Sequence, residues 1–177
     1  MKSPLPFDPA AAVAHLRAAD PVLGAVIARV GPCALQLRPA ASTFAALLHA
    51  IVYQQLNGKA AAAILGRVQA LFSRDNPLAP ASLRTTSDEA LRAAGLSRGK
   101  IAALRDLAAR SLDRTVPSLR AAARLADGEL VSRLTAVRGI GPWTVHMLLI
   151  FRLGRPDVMP TGDFAIRQAF QRLYGKR

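Results

Sequence analysis

The chain has 177 residues, of which 51% are hydrophobic, and it carries 24 Lys and Arg against 11 Asp and Glu, a formal net charge of +13. This length suits one compact domain or two small lobes that share a cleft, with enough apolar material for a sizeable core. So large a positive excess indicates a polyanionic partner, and nucleic acid is the usual one. The preference of a GC-rich genome for arginine is the alternative explanation of the charge.

Composition also excludes several classes of protein. Alanine, leucine and arginine dominate and only 5% of residues are aromatic, which favours an all-α fold. The single cysteine, Cys33, permits no internal disulfide, no four-cysteine zinc site and no iron–sulfur cluster. The three histidines are scattered without the spacing of metal ligands. Because the chain shows neither a secretory signal pattern nor a run of about 18 apolar residues, we expect a soluble, cytoplasmic protein.

Proline, glycine and capping residues divide the chain into short helices. Asp8 and Asp20 each precede a proline, the pattern of an N-cap followed by proline at the first helical position. Ser42 can cap the apolar helix TFAALLHAIVYQQL, and a turn at Asn57 joins it to KAAAAILGRVQALF, as an antiparallel pair. Residues 33–40 are predicted to be irregular and 73–82 to be a loop. The other predicted helices are 9–18, 21–29, one that follows the capping box at 86–89 and stops at Gly95, 98–113, and two short ones near Pro117 and Asp127.

Two apolar stretches with helical period are joined by Gly139-Ile140-Gly141-Pro142. Gly139 suits the end of the first helix, Pro142 suits the first turn of the second, and Gly141 has no side chain to block an approaching atom. The backbone N–H groups of such a turn and the positive dipole end of the second helix form a site for an anion, such as a DNA phosphate. An ordinary helical connection, with glycines for geometry alone, is the alternative.

A single acid, Asp163, follows Pro160-Thr161-Gly162 and opens a last predicted helix, 164–175. The N-terminus of a helix favours the charged form of a carboxylate. Asp is also a common N-cap, and a purely structural cap is the alternative reading of this residue.

Three segments of the chain resemble, in the same order, those of the helix-hairpin-helix DNA glycosylases, and within them the 3-methyladenine DNA glycosylases of the bacterial alkylation-repair type. The segment FAALLHAIVYQQLNGKAAAAI is similar to their buried helix pair with its DNA-probing turn, LTAVRGIGPWTVHMLL to their hairpin, and GRPDVMPTGDFAIRQAF to the segment with their catalytic aspartate. The resemblance implies an all-α, two-lobed helical bundle with a DNA-binding cleft between the lobes. We expect the lobes to be 42–130, and 1–41 together with 131–177.

The resemblance also implies roles for particular residues. Asp163 falls on the catalytic aspartate, and Val137 to Thr144 on the hairpin that grips phosphate. Trp143 falls where the lyase-competent branches carry a catalytic lysine. The residues expected at phosphate are Gly139, Gly141 and Thr144, and the backbone carbonyls expected to bind a structural sodium or potassium ion are those of Thr135, Val137 and Ile140.

Base excision requires that the base leave the duplex, so something must fill the gap and something must hold the base. Gln55 or Leu56, at the turn of the helix pair, is predicted to be the wedge, and a helix end with a buried leucine is the alternative. Trp143 offers a flat π-face to a cationic base. We expect Met147, one turn later, and Tyr53 to line the same pocket, and core packing is the alternative for Trp143 and Met147.

The sequence predicts a monofunctional glycosylase of base-excision repair, a monomer that acts on alkylated double-stranded DNA. It would hydrolyse the N-glycosidic bond of purines of the 3-methyladenine and 7-methylguanine type, without a catalytic cofactor. No lyase activity is expected, because Trp143 replaces the lysine. General attraction to DNA is assigned to the basic residues 98, 100, 105, 110, 120, 124, 138, 152 and 155 together. The rival hypothesis is a non-catalytic protein that binds damaged or distorted DNA, and Asp163 argues against it, since a mere binder gains nothing from an acid near phosphates.

Overall fold

The structure is a computed structural model that describes residues 5–175, and every regular element in that range is helical, which confirms the predicted all-α fold. Among the described residues, no helix is long and apolar enough to cross a membrane. A π-helical turn, Leu149–Leu153, continues the tenth helix. In chain order the helices are α1 (Pro9–Ala19), α2 (Pro21–Val30), α3 (Thr43–Tyr53), α4 (Gly58–Ala70), α5 (Pro80–Thr85), α6 (Asp88–Ala93), α7 (Arg98–Leu112), α8 (Leu119–Ala122), α9 (Asp127–Thr135), α10 (Pro142–Leu148) and α11 (Phe164–Tyr174).

The chain forms two compact units. The central unit spans residues 40–145, and the terminal unit combines the segment before residue 40 with the segment after residue 145. The sequence-based lobes differ, because they place the hairpin with the terminal segments, whereas the structure groups it with the central helices. The physical reason is that Val137 and Ile140 of the hairpin are buried, and that its backbone is hydrogen-bonded to side chains of α7 and of the α3–α4 turn.

Side-chain caps begin many of the helices at the expected residues. Asp8 and Asp20 each accept two backbone N–H bonds ahead of a proline, and Ser42, Ser87 and Ser97 each accept one. Such caps satisfy donors that have no partner inside their own helix. Local sequence therefore sets where these helices begin.

Three elements differ from the sequence-based prediction. Helix α3 ends at Tyr53 and does not continue to Leu56, because Gln54 leaves the helical conformation with ψ 133° and Gln55 follows with a left-handed φ of 57°. The predicted loop over 73–82 is wrong at its end, since Pro80 lies in the first turn of α5, where proline is tolerated. The π-helical turn after α10 was not expected, and it ends at Gly154, whose φ is 66°.

Most of the hydrophobic core lies in the central unit, around α7. This helix packs against α3, α5 and α6, and its Leu104 is completely buried. Arg105, on the same helix, donates to the carbonyl oxygens of Leu83 and Thr86. Its guanidinium also pairs with Asp88, with 2.6 Å between Nη2 and Oδ1. These bonds attach α5 and α6 to α7 and occupy carbonyls near a helix end.

The terminal unit has a thinner core. Helices α1, α2 and α11 contain no buried residue. Among the described residues of this unit, the buried hydrophobic side chains are Leu148 and Leu149. Large apolar side chains remain exposed there, and Phe164 is 77% exposed.

Polar contacts join distant parts of the terminal unit. The hydroxyl of Tyr174, in α11, donates to Oδ2 of Asp20 at 2.6 Å. This bond lowers the pKa of Asp20 and raises the pKa of Tyr174. The guanidinium of Arg152 donates to the carbonyl oxygens of Arg38 and Pro39, and its partial burial lowers its pKa.

Candidate functional site

The hairpin between α9 and α10 is closed by its own backbone. The N–H of Ile140 donates to the carbonyl oxygen of Val137 at 3.0 Å, and the N–H of Thr144 donates to the carbonyl oxygen of Gly141 at 3.0 Å. Gly139 has a left-handed φ of 78° that favours glycine. In the part of the chain that the structure describes, the N–H groups of Gly139 and Gly141 have no protein acceptor. These two amides are therefore the donors that the hairpin can offer to an anion.

Thr144 is predicted to bind phosphate together with the two glycines, but its surroundings differ from theirs. Only 9% of its surface is exposed, and its backbone N–H is engaged within the turn. The geometry therefore supports an internal role for Thr144, in holding the first turn of α10. Its contact with phosphate stays a prediction.

The turn between α3 and α4 carries the two candidate wedge residues. Gln55 and Leu56 are both exposed, with Leu56 39% exposed, so the alternative of a buried leucine does not hold. Asn57 caps α4 by accepting the N–H of Ala60 at 2.9 Å. The turn thus holds Leu56 between a left-handed residue and a helix cap, as an apolar side chain presented to solvent.

The α3–α4 turn and the hairpin are brought together in the central unit. Nε2 of Gln54 donates to the carbonyl oxygen of Gly139 at 2.8 Å, across 85 residues of sequence. On α7, Nζ of Lys100 donates to the carbonyl oxygen of Gln54 at 3.0 Å, and Oδ2 of Asp106 accepts the backbone N–H of Arg138 at 2.7 Å. Sequence reasoning missed these contacts, because no local pattern signals a pairing over such distances.

Several of the predicted DNA-attracting cations have protein partners. Lys100 is bonded to backbone carbonyls, and its partial burial lowers its pKa. Arg105 and Arg152 likewise donate to backbone carbonyls, and Arg110 pairs with Asp106 at 3.0 Å. These four cations therefore have internal structural roles, and the general attraction to DNA that the sequence assigns to the basic residues together stays a prediction.

Asp163 lies in the terminal unit as the N-cap of α11. Its Oδ1 accepts the backbone N–H of Ala165 at 2.8 Å and that of Ile166 at 3.1 Å. Its own N–H donates to the carbonyl oxygen of Pro160 at 2.8 Å. Asp163 as a whole residue is half-buried. Bonds on both sides of the residue fix its backbone and orient its carboxylate, as a charge-stabilising role requires.

The three predicted pocket residues have different surroundings. Trp143, near the start of α10, is 50% exposed, which argues against the alternative of plain core packing. Tyr53 ends α3 and stacks on His49, with ring centroids 4.0 Å apart. Met147 is half-buried and belongs to the terminal unit. Trp143 and Tyr53 belong to the central unit.

Three backbone carbonyls were predicted to bind a monovalent cation where α9 ends. That of Val137 accepts the N–H of Ile140. Within the described residues, the carbonyl oxygens of Thr135 and Ile140 have no protein donor, so they retain the lone pairs that a cation ligand needs. Carbonyl oxygens are the ligands that potassium filters also use, and the donor set therefore fits sodium or potassium. Among residues 5–175, no group of three or more His, Cys, Asp or Glu side chains is placed to hold a metal ion.

Comparison with known proteins bears directly on this arrangement. Residues 48–177 match the family model described as HhH-GPD superfamily base excision DNA repair protein. The chain belongs to this superfamily. The DNA-3-methyladenine glycosylase 1 of Schizosaccharomyces pombe is 41% identical over 128 residues, which are 72% of this chain and 56% of that protein. The chain thus spans little more than half the length of this HhH-GPD relative.

Two solved structures extend the similarity to nearly all of the fold. A DNA-3-methyladenine glycosidase from Bacillus halodurans superposes with a TM-score of 0.83 at 35% identity, covering 99% of this chain and 78% of the other. The 3-methyladenine DNA glycosylase of Schizosaccharomyces pombe, in complex with abasic DNA, gives a TM-score of 0.74 at 36% identity, covering 93% and 80%. The helical architecture of this HhH-GPD protein is therefore that of proteins named as 3-methyladenine DNA glycosylases.

Proposed function

We propose that this HhH-GPD protein is a DNA glycosylase that hydrolyses the N-glycosidic bond of alkylated purines in duplex DNA. The observation that carries the proposal is Asp163, an acid held at the start of α11 by two backbone N–H groups. The relatives named as 3-methyladenine DNA glycosylases support the substrate class. The protein would act as a monomer on DNA of the bacterial nucleoid, in the cytoplasm.

A single carboxylate suits a substrate whose base is already charged. An alkylated purine such as 3-methyladenine carries a positive charge and departs as a neutral base, so no general acid is required. As the bond stretches, the sugar gains oxocarbenium character. The carboxylate of Asp163 then stabilises this cation, orients the attacking water, or does both.

The exposed wedge residues support a base-flipping mechanism. Leu56, with Gln55 beside it, would enter the space that the flipped base leaves in the stack. Trp143 would offer its exposed face to the cationic base. Tyr53 and Met147 are further proposed contacts of the base. The amides of Gly139 and Gly141 would hold a phosphate, which positions the duplex without reading its sequence.

Phosphate contacts make binding depend on salt. We expect the affinity for an undamaged duplex to fall with a log–log slope of about −3 to −6, at about −0.9 for each neutralised phosphate. Titrations at four salt concentrations, by fluorescence anisotropy, measure this slope. A flat dependence would show that the positive charge has another purpose.

We further propose that the enzyme is monofunctional. Strand cleavage needs an amine that forms a Schiff base with the sugar, and Trp143 supplies none. Because some HhH-GPD members are bifunctional, family membership does not decide the matter. Borohydride should trap no protein–DNA adduct on a lesion-bearing duplex, and strands should break only after alkali or heat. A trapped adduct would rule out the monofunctional assignment.

A structural sodium or potassium ion at the hairpin is a third proposal. The carbonyls of Thr135, Val137 and Ile140 would hold it, and its charge would keep the turn in the shape that grips phosphate. At constant ionic strength, exchange of potassium for tetramethylammonium should weaken binding to an undamaged duplex several-fold. Equal affinity in both salts would contradict the proposed ion site at the hairpin.

Base release from methylated duplex DNA, with the products separated by chromatography, tests the main proposal. Asp163→Asn should lower the rate by about a hundredfold or more, as loss of an oriented charge-stabilising group does, and leave DNA affinity unchanged or higher. Asp157→Asn is the matched control, because Asp157 is an exposed acid in the same segment, and it should keep full activity. If the wild-type protein binds DNA with an abasic site but releases no base, the rival non-catalytic binder is the better description.

A further inference from the structure

Helix α7 is hydrogen-bonded to both of the elements that are proposed to touch DNA. Near its start, Nζ of Lys100 donates to the carbonyl oxygens of Val52 and Gln54, at 2.7 and 3.0 Å. Six residues later, Oδ2 of Asp106 accepts the N–H of Arg138 in the hairpin at 2.7 Å. At 1.5 Å of rise per residue, the two side chains start about 9 Å apart along the helix axis.

The same side of α7 also packs against the hairpin between these two bonds. Lys100, Ala103 and Asp106 are spaced three residues apart and span an arc of about 120° around the helix. A Cβ added to Gly139 would lie 3.5 Å from Cβ of Ala103, so the hairpin backbone packs on the middle of this arc. Ala103 is itself buried.

A fourth hydrogen bond joins the α3–α4 turn directly to the hairpin. Gln54, whose carbonyl oxygen Lys100 binds, donates its own side-chain Nε2 to the carbonyl oxygen of Gly139 at 2.8 Å. Each of the two DNA-facing elements is thus bonded to α7, and they are bonded to each other. The four hydrogen bonds over-determine the distance from the turn that carries Leu56 to the amides of the hairpin.

We propose that Lys100 and Asp106 are positioning residues, which fix the spacing between the wedge turn and the phosphate-gripping hairpin. The inference rests on the proposed function, since it gives these two elements their roles. Flipping needs the wedge to enter the stack while a phosphate is held, so an error in their spacing weakens binding to a flipped site. It need not weaken binding to an intact duplex, for which phosphate contacts suffice.

The chain offers a matched control on the same helix. Arg105 is also a cation of α7 that donates to backbone carbonyls, but its partners belong to α5, to the α5–α6 connection and to Asp88 of α6. Arg105→Met therefore removes a comparable internal contact without touching either DNA-facing element. It should lower the melting temperature and leave recognition of a flipped site unchanged.

The experiment compares affinities for two duplexes, one undamaged and one with a tetrahydrofuran abasic-site analogue. Their ratio measures discrimination. Lys100→Met should lower the ratio about fivefold to tenfold, as loss of a partly buried charged hydrogen bond does, with affinity for the undamaged duplex within about twofold of wild type. Lys100→Arg, which retains donors, should recover part of the ratio. Asp106→Ala should lower the ratio by a similar factor, and it should also lower affinity for both duplexes, because the hairpin loses the acceptor that holds Arg138.

A second variant covers the case in which Lys100→Met does not fold. Gln54→Leu removes only the bond to Gly139, on a partly exposed side chain, and should lower the ratio by a similar factor. If the folded Lys100 and Gln54 variants discriminate as well as wild type, or if Arg105→Met lowers the ratio as much, the positioning role is wrong and these bonds only stabilise the fold. If wild type itself prefers neither duplex, the proposed function fails as well.

Discussion

The central and terminal units differ in how they hold their functional residues. In the central unit, α7 and its neighbours form a core of fully buried leucines, and the hairpin and the α3–α4 turn are bonded directly to it. In the terminal unit, Asp163 caps a helix that has no buried residue. The proposed DNA-binding elements thus depend on tight packing, whereas the proposed catalytic acid depends on a local helix cap.

This difference indicates that DNA binding and stabilisation of the sugar cation require different kinds of structural precision. The distance between the wedge residue and the amides that bind phosphate depends on long-range contacts. These elements therefore need a rigid framework. An acid that stabilises a nearby cation depends mainly on its charge and orientation, and a cap of two hydrogen bonds supplies both. Stability and DNA affinity should therefore respond differently to changes in the two units.

The largest effect on stability should come from the central core. Leu104→Ala should lower the free energy of unfolding by about 2–5 kcal/mol, because it leaves a cavity at a fully buried site. Leu173→Ala, in α11, should cost less than about 1 kcal/mol, since Leu173 is already 38% exposed. Denaturant titrations of both variants measure the difference. Equal losses would mean that the terminal unit is packed as tightly as the central one.

A change at the hairpin should affect binding without affecting stability. A Cβ at Gly141 meets no atom within 4 Å, so Gly141→Leu should fold normally. It should lower affinity for damaged and undamaged duplexes alike by about tenfold, because the side chain blocks an approaching phosphate. Gly128→Leu, at another uncrowded glycine in α9, is the control and should bind as wild type does. A loss of affinity for the damaged duplex alone would instead indicate that Gly141 lies near the flipped base.

The smallest effect should be a pH dependence in the terminal unit. Because the Tyr174 hydroxyl lowers the pKa of Asp20 below its ordinary 3.8, the bond stabilises the fold above that pH and is lost as pH falls through the lowered value. The raised pKa of Tyr174 means that the stabilisation is present below its ordinary 10.0 and is lost as pH rises through the raised value.

Tyr174→Phe tests this linkage. Its melting temperature should lie below that of wild type between about pH 5 and pH 9, and the two should converge at both extremes. Melting curves over the full pH range supply the measurement. A difference that stays constant with pH would show that the phenol acts by packing and not through Asp20.

Much of the fold could be predicted because its signals are local. Asp8, Asp20 and Asp163 each cap the helix that the sequence placed after them, and a cap requires only residues two or three positions apart. The end of α3 could not be predicted, because no local sequence signal marks Gln54 as its C-cap or Gln55 as a left-handed residue. Pro80 was taken as a loop residue because proline suits both loops and first helical turns.

The candidate site likewise contains residues that local sequence signals predict and residues that they do not. Asp163 and the hairpin glycines could be found from short motifs, and the resemblance gave them roles. Lys100, Gln54 and Asp106 could not be found, because their partners lie 32 to 85 residues away in sequence. A lysine in a basic helix reads as a solvated charge until the carbonyls that it binds are known.

The amides of Gly139 and Gly141 belong to the backbone, and this has a consequence for mutagenesis and for evolution. No side-chain substitution deletes an N–H group, except proline. An alanine scan of the surface would therefore pass over this contact, and would detect the hairpin mainly through the strain of a Cβ at the left-handed Gly139. If these amides bind phosphate as proposed, side chains around the turn can change while the contact persists, and divergent sequences can retain it.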